Sequence, residues 1–367
     1  MSGNRVVGRR MRWSALLAGG ALLVGGALLM PETLLAQTNP SPLQFGGLLR
    51  TGFRVDPDET GRATGFEIFD ARASAFGSIG IAFDYLMIVE YDAEAEKFLL
   101  LDAALTVPLI PEFELSIGLF RPAFGLEALV DKGDLTFLER SQATELIAPG
   151  RQVGVGANGS TFDGRLTYGA GLFNGNGSTL KNDGDDFMFS ARAQYNSIGT
   201  IGFYDDFVIQ VGGSFAYSED TEAELGGGIA TPELLMDPFA PQVAFAGTRL
   251  LLGADVQATY RDITLTGEYY GADYDPQPGS PLPQDANAHG GYVEAGYRAY
   301  GLFEFVTRWD AFKPAVGDDR QFLLFGFNVF PGQYAKVGLQ YAVGLNDSAA
   351  ASTVAGNQFI LLAQVDF

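Results

Sequence analysis

Ala335-Lys336-Val337-Gly338-Leu339-Gln340-Tyr341-Ala342-Val343-Gly344-Leu345 alternates with a period of two. Ala335, Val337, Leu339, Tyr341 and Val343 fall on one side, and Lys336, Gly338, Gln340, Ala342 and Gly344 on the other. Successive strand side chains point to opposite faces, so the stretch predicts a strand with one apolar and one polar or small face. Working outward, Leu252, Ala254, Val256, Ala258 and Tyr260 alternate with Gly253, Asp255, Gln257, Thr259 and Arg261. Phe187, Phe189, Ala191, Ala193 and Tyr195 do the same with Met188, Ser190, Arg192 and Gln194.

Two architectures use this pattern: a soluble sandwich with a dry inside and a membrane barrel with a dry outside. The membrane barrel fits better. The segments run to ~10 residues against the usual five or six of soluble strands, and the polar faces carry too many charges for a sandwich core. Aromatics close several segments (Tyr195, Tyr260, Tyr300, Trp309, Phe330), where a lipid interface would place them.

Counting predicts about sixteen strands: 43–54, 65–76, 81–91, 98–107, 113–121, 151–160, 165–173, 187–196, 207–217, 249–261, 263–273, 290–300, 302–312, 320–330, 335–345 and 357–367. Connections then alternate between short turns, such as Phe162-Asp163-Gly164 and Tyr300-Gly301, and long polar loops at 55–64, 122–150, 174–186, 218–248 and 274–289. The fold class is therefore an all-β transmembrane antiparallel barrel with both ends in the periplasm. The last strand has Phe359, Leu361, Ala363, Val365 and Phe367 outside, Gln364 and Asp366 inside, and a final aromatic that resembles the signal read by the barrel assembly machinery.

The other end of the chain agrees. Arg5, Arg9, Arg10 and Arg12 precede an apolar run from Ser14 to Met30, followed by Pro31 and Leu34-Leu35-Ala36-Gln37. This is the layout of a signal peptide cut after Ala36, leaving 37–367 as the barrel domain exported to a Gram-negative outer membrane. Removing 1–36 takes four basic residues and one acid with it, leaving 19 against 43, a net charge of −24. Such a surface repels nucleic acid. With no cysteine in the chain, disulfides and thiolate metal sites are impossible, and no cofactor is expected.

Segment 122–150 is a long connection that is not simply polar, with apolar residues of its own, among them Leu126, Leu129 and Leu138. As the third external loop of a wide barrel, it is expected to fold into the lumen and narrow it. By alternation Arg50, Arg54, Arg72, Arg165, Arg192, Arg261, Arg298 and Arg308 face water inside, where arginine suits anions through its two-pronged donor geometry. Arg121, Lys132, Arg140 and Arg151 flank or belong to loop three. The lumen face also carries Asp70, Asp84, Glu90, Asp102, Asp255, Glu268, Glu294 and Asp310, so wall salt bridges compete with an anion path. The loops are acidic at Asp56, Asp58, Glu59, Asp183, Asp185, Asp186, Glu219, Asp220, Glu222 and Glu224, which favours cations or reflects adaptation to high salt.

The chain resembles the phosphate-selective porin O and P family in Gly118-Leu119-Phe120-Arg121-Pro122-Ala123-Phe124-Gly125-Leu126-Glu127, Leu138-Glu139-Arg140-Ser141, Pro149-Gly150-Arg151-Gln152-Val153-Gly154-Val155 and Gly169-Ala170-Gly171-Leu172-Phe173-Asn174-Gly175. The resemblance implies a passive porin for small hydrophilic solutes and inorganic anions, usually a homotrimer embedded in outer-membrane lipid. It also implies that loop three enters the channel and that basic residues guide phosphate. Here those would be Arg50, Arg54, Arg72, Arg121, Lys132, Arg140, Arg151, Arg192, Arg298 and Arg308. A cation-preferring channel and one for sugars or organic acids stay open as alternatives. Tyr269, Tyr270, Tyr274 and Tyr292 fit a stacking slide, although girdle and rim positions account for tyrosine more simply. A barrel enzyme would need a base beside a nucleophile, and the one histidine, His289, is expected in a polar loop without such a partner.

Overall fold

A computed structural model describes residues 43–367 apart from 56–63, 81–82, 93–96, 111, 183, 198–206, 226–242, 279–285, 316 and 347–356. The expected signal segment 1–36 and the acids Asp56, Asp58, Glu59 and Asp183 lie outside the described residues. Sixteen strands form one closed antiparallel barrel, each hydrogen-bonded to its sequence neighbours, with the first paired to the last. They are β1 (Gln44–Val55), β2 (Gly65–Ile79), β3 (Phe83–Asp92), β4 (Lys97–Ile110), β5 (Phe113–Phe120), β6 (Gln152–Thr161), β7 (Leu166–Phe173) and β8 (Met188–Asn196). The ring continues through β9 (Phe207–Leu225), β10 (Val243–Tyr260), β11 (Ile263–Pro276), β12 (Ala286–Ala299), β13 (Phe303–Lys313), β14 (Arg320–Gly332), β15 (Ala335–Gly344) and β16 (Gln358–Asp366). Among the described residues no helix is long and apolar enough to cross a membrane.

The alternation sets which side chains meet lipid. On β15, Val337, Leu339 and Tyr341 are exposed outside while Lys336, Gly338, Gln340 and Ala342 are buried within. The closing seam pairs Leu48 with Asp366 and Val55 with Phe359. Its last rung is a reciprocal pair: the Gly47 amide donates to the Phe367 carbonyl at 2.8 Å, and Phe367 returns the bond at 3.0 Å. Closure removes the free edges that would otherwise leave backbone groups unpaired in hydrocarbon.

Three expectations about boundaries and faces are corrected. Both ends of segment 218–248 are strand, because β9 runs on to Leu225 and β10 starts at Val243, so Glu219, Asp220, Glu222 and Glu224 are strand residues. Above the apolar band the outer face no longer needs greasy side chains, while the hydrogen-bonded ladder continues. Phe330, two residues before the end of β14, faces inward, with the Arg298 guanidinium 4.0 Å from its ring centre. Trp309 sits inside β13 rather than at its end.

Candidate functional site

The connection from β5 to β6 turns into the lumen, as its apolar residues require. It holds a single 3-10 turn at Glu127–Leu129 and one short helix, α1 (Gln142–Ile147). Ser141 caps α1, its Oγ accepting from the Thr144 amide at 3.2 Å. Phe124, Ile147 and Ala143 are buried against inward residues of the wall, including Tyr270, Tyr274, Ala288 and Phe312. Phe124 stacks on Tyr270 with ring centres 5.6 Å apart. A second contact joins Leu138 to Ile360, Leu362 and Phe69. These two patches explain apolar inward residues in a lumen otherwise polar: the loop covers them.

Tyr270, Tyr274 and Tyr292 are therefore wall residues buried within the barrel, not girdle residues; only Tyr269 of that group is exposed outside. His289 is on β12 rather than in a loop, and its ring centre lies 6.3 Å from that of Tyr269.

Polar ties fix the loop at two places. On one side Glu268 accepts from the amides of Leu126 and Glu127, the latter at 3.1 Å, and from the Tyr270 hydroxyl at 2.6 Å. The Glu127 carboxylate meets Arg308 Nη2 at 2.7 Å and accepts from the Ser141 amide at 2.8 Å. Asp310 accepts from the Gln142 amide at 3.0 Å and from its side chain at 3.2 Å. On the far side Lys132 donates to Asp70 at 2.6 Å and Arg50 donates to the Leu138 carbonyl at 2.7 Å. Lys336 donates to the Leu135 carbonyl and Gln364 to the Gly133 carbonyl, each at 2.7 Å. Buried polar groups need partners of this kind to offset lost hydration.

The arginines divide into two sets. In the wall Arg50 binds Asp70, Arg54 binds Glu67 and Gln358, and Arg72 binds Glu90. Arg151 is 2.8 Å from Asp102, Arg192 is 2.5 Å from Asp255, and Arg308 is 2.6 Å from Glu294. Arg249, which alternation reasoning did not single out, is 2.6 Å from Asp220. These charges are largely matched by acids at close range.

Arg121 and Arg140 differ. Arg121 Nη1 donates to the Val130 carbonyl at 2.8 Å, and Arg140 Nη2 donates to the same oxygen at 2.6 Å. Neither has an ion pair among the described residues. The two like charges share one neutral acceptor, with Arg151 close enough to add to the field. Burial first, then the charges of Arg151 and Arg140, hold the Arg121 guanidinium well below its ordinary pKa. Nearby Asp131 feels burial, but the Gly133 amide and the charges of Arg72, Arg121 and Arg151 outweigh it, keeping this carboxyl below the usual range. Arg298 faces Phe330 near the periplasmic end. The ten residues expected to guide anions are thus spread: Arg121, Lys132, Arg140 and Arg151 gather at loop three, and the rest lie along the wall.

The model of the family "phosphate-selective porin O and P" matches residues 44–341. No curated protein matches the chain in sequence. Among solved structures, OmpT from Vibrio cholerae in trimer form is similar at TM-score 0.60 and 13% identity, covering 90% of this chain and 100% of its own. An anion-selective porin from Comamonas acidovorans is similar at TM-score 0.60 and 11% identity, covering 90% and 100%. Salmonella typhi OmpF in complex with daunomycin is similar at TM-score 0.57 and 13% identity, covering 89% and 97%. At these identities the neighbours speak for the fold, while the family match spans most of the sequence. With its closed sixteen-stranded wall and inward third loop, the chain belongs to the phosphate-selective porin O and P family and is an outer-membrane porin, a passive channel.

Proposed function

We propose that this porin prefers small anions, inorganic phosphate among them, and that Arg121 and Arg140 form the selective passage. One observation carries the reading: these two guanidiniums converge on a single carbonyl and, among the described residues, neither forms an ion pair, whereas the wall arginines are matched by carboxylates. In a confined, partly dehydrated passage an unmatched positive charge attracts anions far more strongly than it would in bulk water. Arg72, Lys132 and Arg151 stand around them, each paired with a carboxylate, and Arg50, Arg54, Arg192 and Arg308 hold the wall and loop in shape. Arg298 supplies a positive charge near the periplasmic mouth. The channel works without chemistry on its solute, as a homotrimer inserted by the barrel assembly machinery after removal of residues 1–36. The anion-selective and trimeric neighbours are consistent with this reading.

A cation preference is the second reading, favoured by the chain's acid surplus. Reversal potentials in a potassium chloride gradient across planar bilayers separate the two. Anion preference is expected for the wild type, falling towards none when Arg121→Gln and Arg140→Gln are combined. Millimolar phosphate should reduce chloride current through the wild type and not through the double variant. Firm cation preference in the wild type would end the anion reading.

A further inference from the structure

Val130, whose carbonyl takes both Arg121 and Arg140, is followed directly by an acid, Asp131. The turn itself holds this residue in place. Asp131 Oδ1 accepts from the Gly133 amide at 3.0 Å, and the Asp131 carbonyl accepts from the Asp134 amide at 3.0 Å. The other carboxylate oxygen faces cations. Its one ion-pair contact among the described residues is with Arg72 Nη1, 3.7 Å away, beyond the ~3.2 Å reach of an N–H···O hydrogen bond. That nitrogen is buried and has no hydrogen-bond partner. The charges of Arg121 and Arg151 also act on the Asp131 carboxyl. Arg72 on β2, Arg121 just past β5 and Arg151 just before β6 thus share one tethered carboxylate.

The other acids around this cluster are held differently. Asp70 meets Lys132 at 2.6 Å, Asp102 meets Arg151 at 2.8 Å, and Glu90 is hydrogen-bonded to Arg72. Their side chains are 1%, 8% and 15% exposed, whereas that of Asp131 is 41% exposed. A tight buried pair is structural, because breaking it strands a charge. A carboxylate at 3.7 Å with water on its other side is held loosely and contributes little as a strut. It is also an oxyanion, and it stands against guanidiniums of the kind that bind phosphate. A channel must attract its ion firmly enough to admit it and weakly enough to let it go. Arg121 and Arg140, left to themselves, would favour long residence. A competing oxyanion fixed to the same loop shortens it, since a tethered group acts at high effective concentration and never diffuses away.

We propose that the Asp131 carboxylate is a tethered competitor of the permeating anion, standing against Arg72, Arg121 and Arg151 when the passage is empty and giving way when phosphate enters. The inference rests on the anion reading of Arg121 and Arg140 and adds the residue that sets how tightly the solute is held. Giving way disturbs little: one long ion-pair contact and one amide hydrogen bond are exchanged for contacts with water. Asp134 in the same turn provides a comparison. The cation that acts on it is Lys336, not an arginine of the passage.

The test uses the full barrel in planar bilayers, with chloride current recorded during titration by inorganic phosphate. Asp131→Asn should lower the half-blocking phosphate concentration roughly fivefold, the weight of one unit charge about 4 Å away in water, and should lengthen the blocked dwell times in proportion. Asparagine keeps an acceptor for the Gly133 amide. Asp131→Ser does so too, and serves if the first variant fails to fold, as judged by heat-modifiable gel mobility. Asp131→Glu, which keeps the charge, and Asp134→Asn, which removes a different one, should each stay within about twofold of the wild type. A purely structural role for Asp131 predicts the opposite sign, because a loosened loop widens the passage and weakens block. Unchanged or weaker block in Asp131→Asn, beside a wild type that phosphate does block, overturns the proposal and leaves the anion reading standing. Equal tightening in Asp134→Asn or Asp131→Glu overturns it as well, the first because any lost negative charge would serve and the second because charge would not matter. Block that appears only when Asp131 is neutral supports it. Absence of block in the wild type and in both neutral variants removes the anion reading and this proposal with it.

Discussion

Replacing Glu127 with alanine should free one end of the inner loop while leaving the barrel wall whole. The Glu127 carboxylate is 4% exposed and does two jobs, pairing with Arg308 at 2.7 Å and accepting from the Ser141 amide at 2.8 Å. Removing one partner of a buried ion pair costs roughly 3–5 kcal/mol. The lower end applies here because Arg308 keeps Glu294, at 2.6 Å. Orphaning the Ser141 amide adds about 1 kcal/mol. The sum, about 4 kcal/mol, corresponds to a roughly thousandfold fall in the ratio of docked to undocked loop. Amide hydrogen exchange followed by mass spectrometry reads this directly, since local opening sets the exchange of the loop's own amides. Peptides covering 122–147 should lose about three decades of protection, and peptides from β11 to β13 should change little. Glu127→Gln keeps the size and one acceptor, so its loss should be smaller. Wild-type protection of 122–147 in Glu127→Ala would refute the idea that this carboxylate fastens the loop.

Other expectations follow the same contacts. Gly125 has φ +74° and an added Cβ would lie 2.1 Å from the Tyr270 hydroxyl, so Gly125→Ala should destabilise loop docking by about 1–3 kcal/mol and raise open-channel noise in single-channel recordings. Asp131 is held below its ordinary pKa, so its contribution is present above the unfolded value near 4 and is lost as pH falls through the folded one; loop protection should weaken in acid, and Asp131→Asn should remove that part of the pH dependence. Asp134 is shifted the other way, by burial and then by the charge of Asp131, so its ionised form weakens the fold at neutral pH. Asp134→Asn should therefore increase loop protection at pH 7, an effect that fades as pH drops through the folded pKa. Deleting Phe367 removes both hydrogen bonds to Gly47 at the seam and should slow refolding into lipid vesicles, followed by the appearance of the heat-modifiable band.

Nearly all of the wall was legible in the sequence because lipid imposes a strict rule. Each outward side chain within the apolar band must be greasy, and each neighbour is free to be polar, so the period of two survives over most strands. The rule lapses above that band, which is why the extension of β9 through Glu219, Glu222 and Glu224 and the place of His289 on β12 escaped it. Parity already put Tyr270 and Tyr274 on the same face as Glu268, but nothing local says what covers an inward tyrosine. That cover, Phe124 and α1, lies more than a hundred residues away in the chain, where periodicity carries no information. The loop-three arginines were visible by type and position. Their division from the wall arginines was not, since it depends on which carboxylate stands across the strand and on one shared carbonyl at Val130.

The two fastenings of the inner loop have a mechanical consequence. One set grips β1, β2, β15 and β16 through Arg50, Asp70, Lys336 and Gln364, and the other grips β11 and β13 through Glu268, Arg308 and Asp310. β2 and β11 lie on nearly opposite sides of the ring. A hoop of strands has a fixed perimeter but resists squashing only weakly, because flattening it bends many hydrogen bonds slightly and breaks none. A cross-tie changes that response: any ovalisation must stretch or crush the tie. The segment that narrows this channel thus also acts as its brace, holding the opening round against lateral pressure from the surrounding membrane.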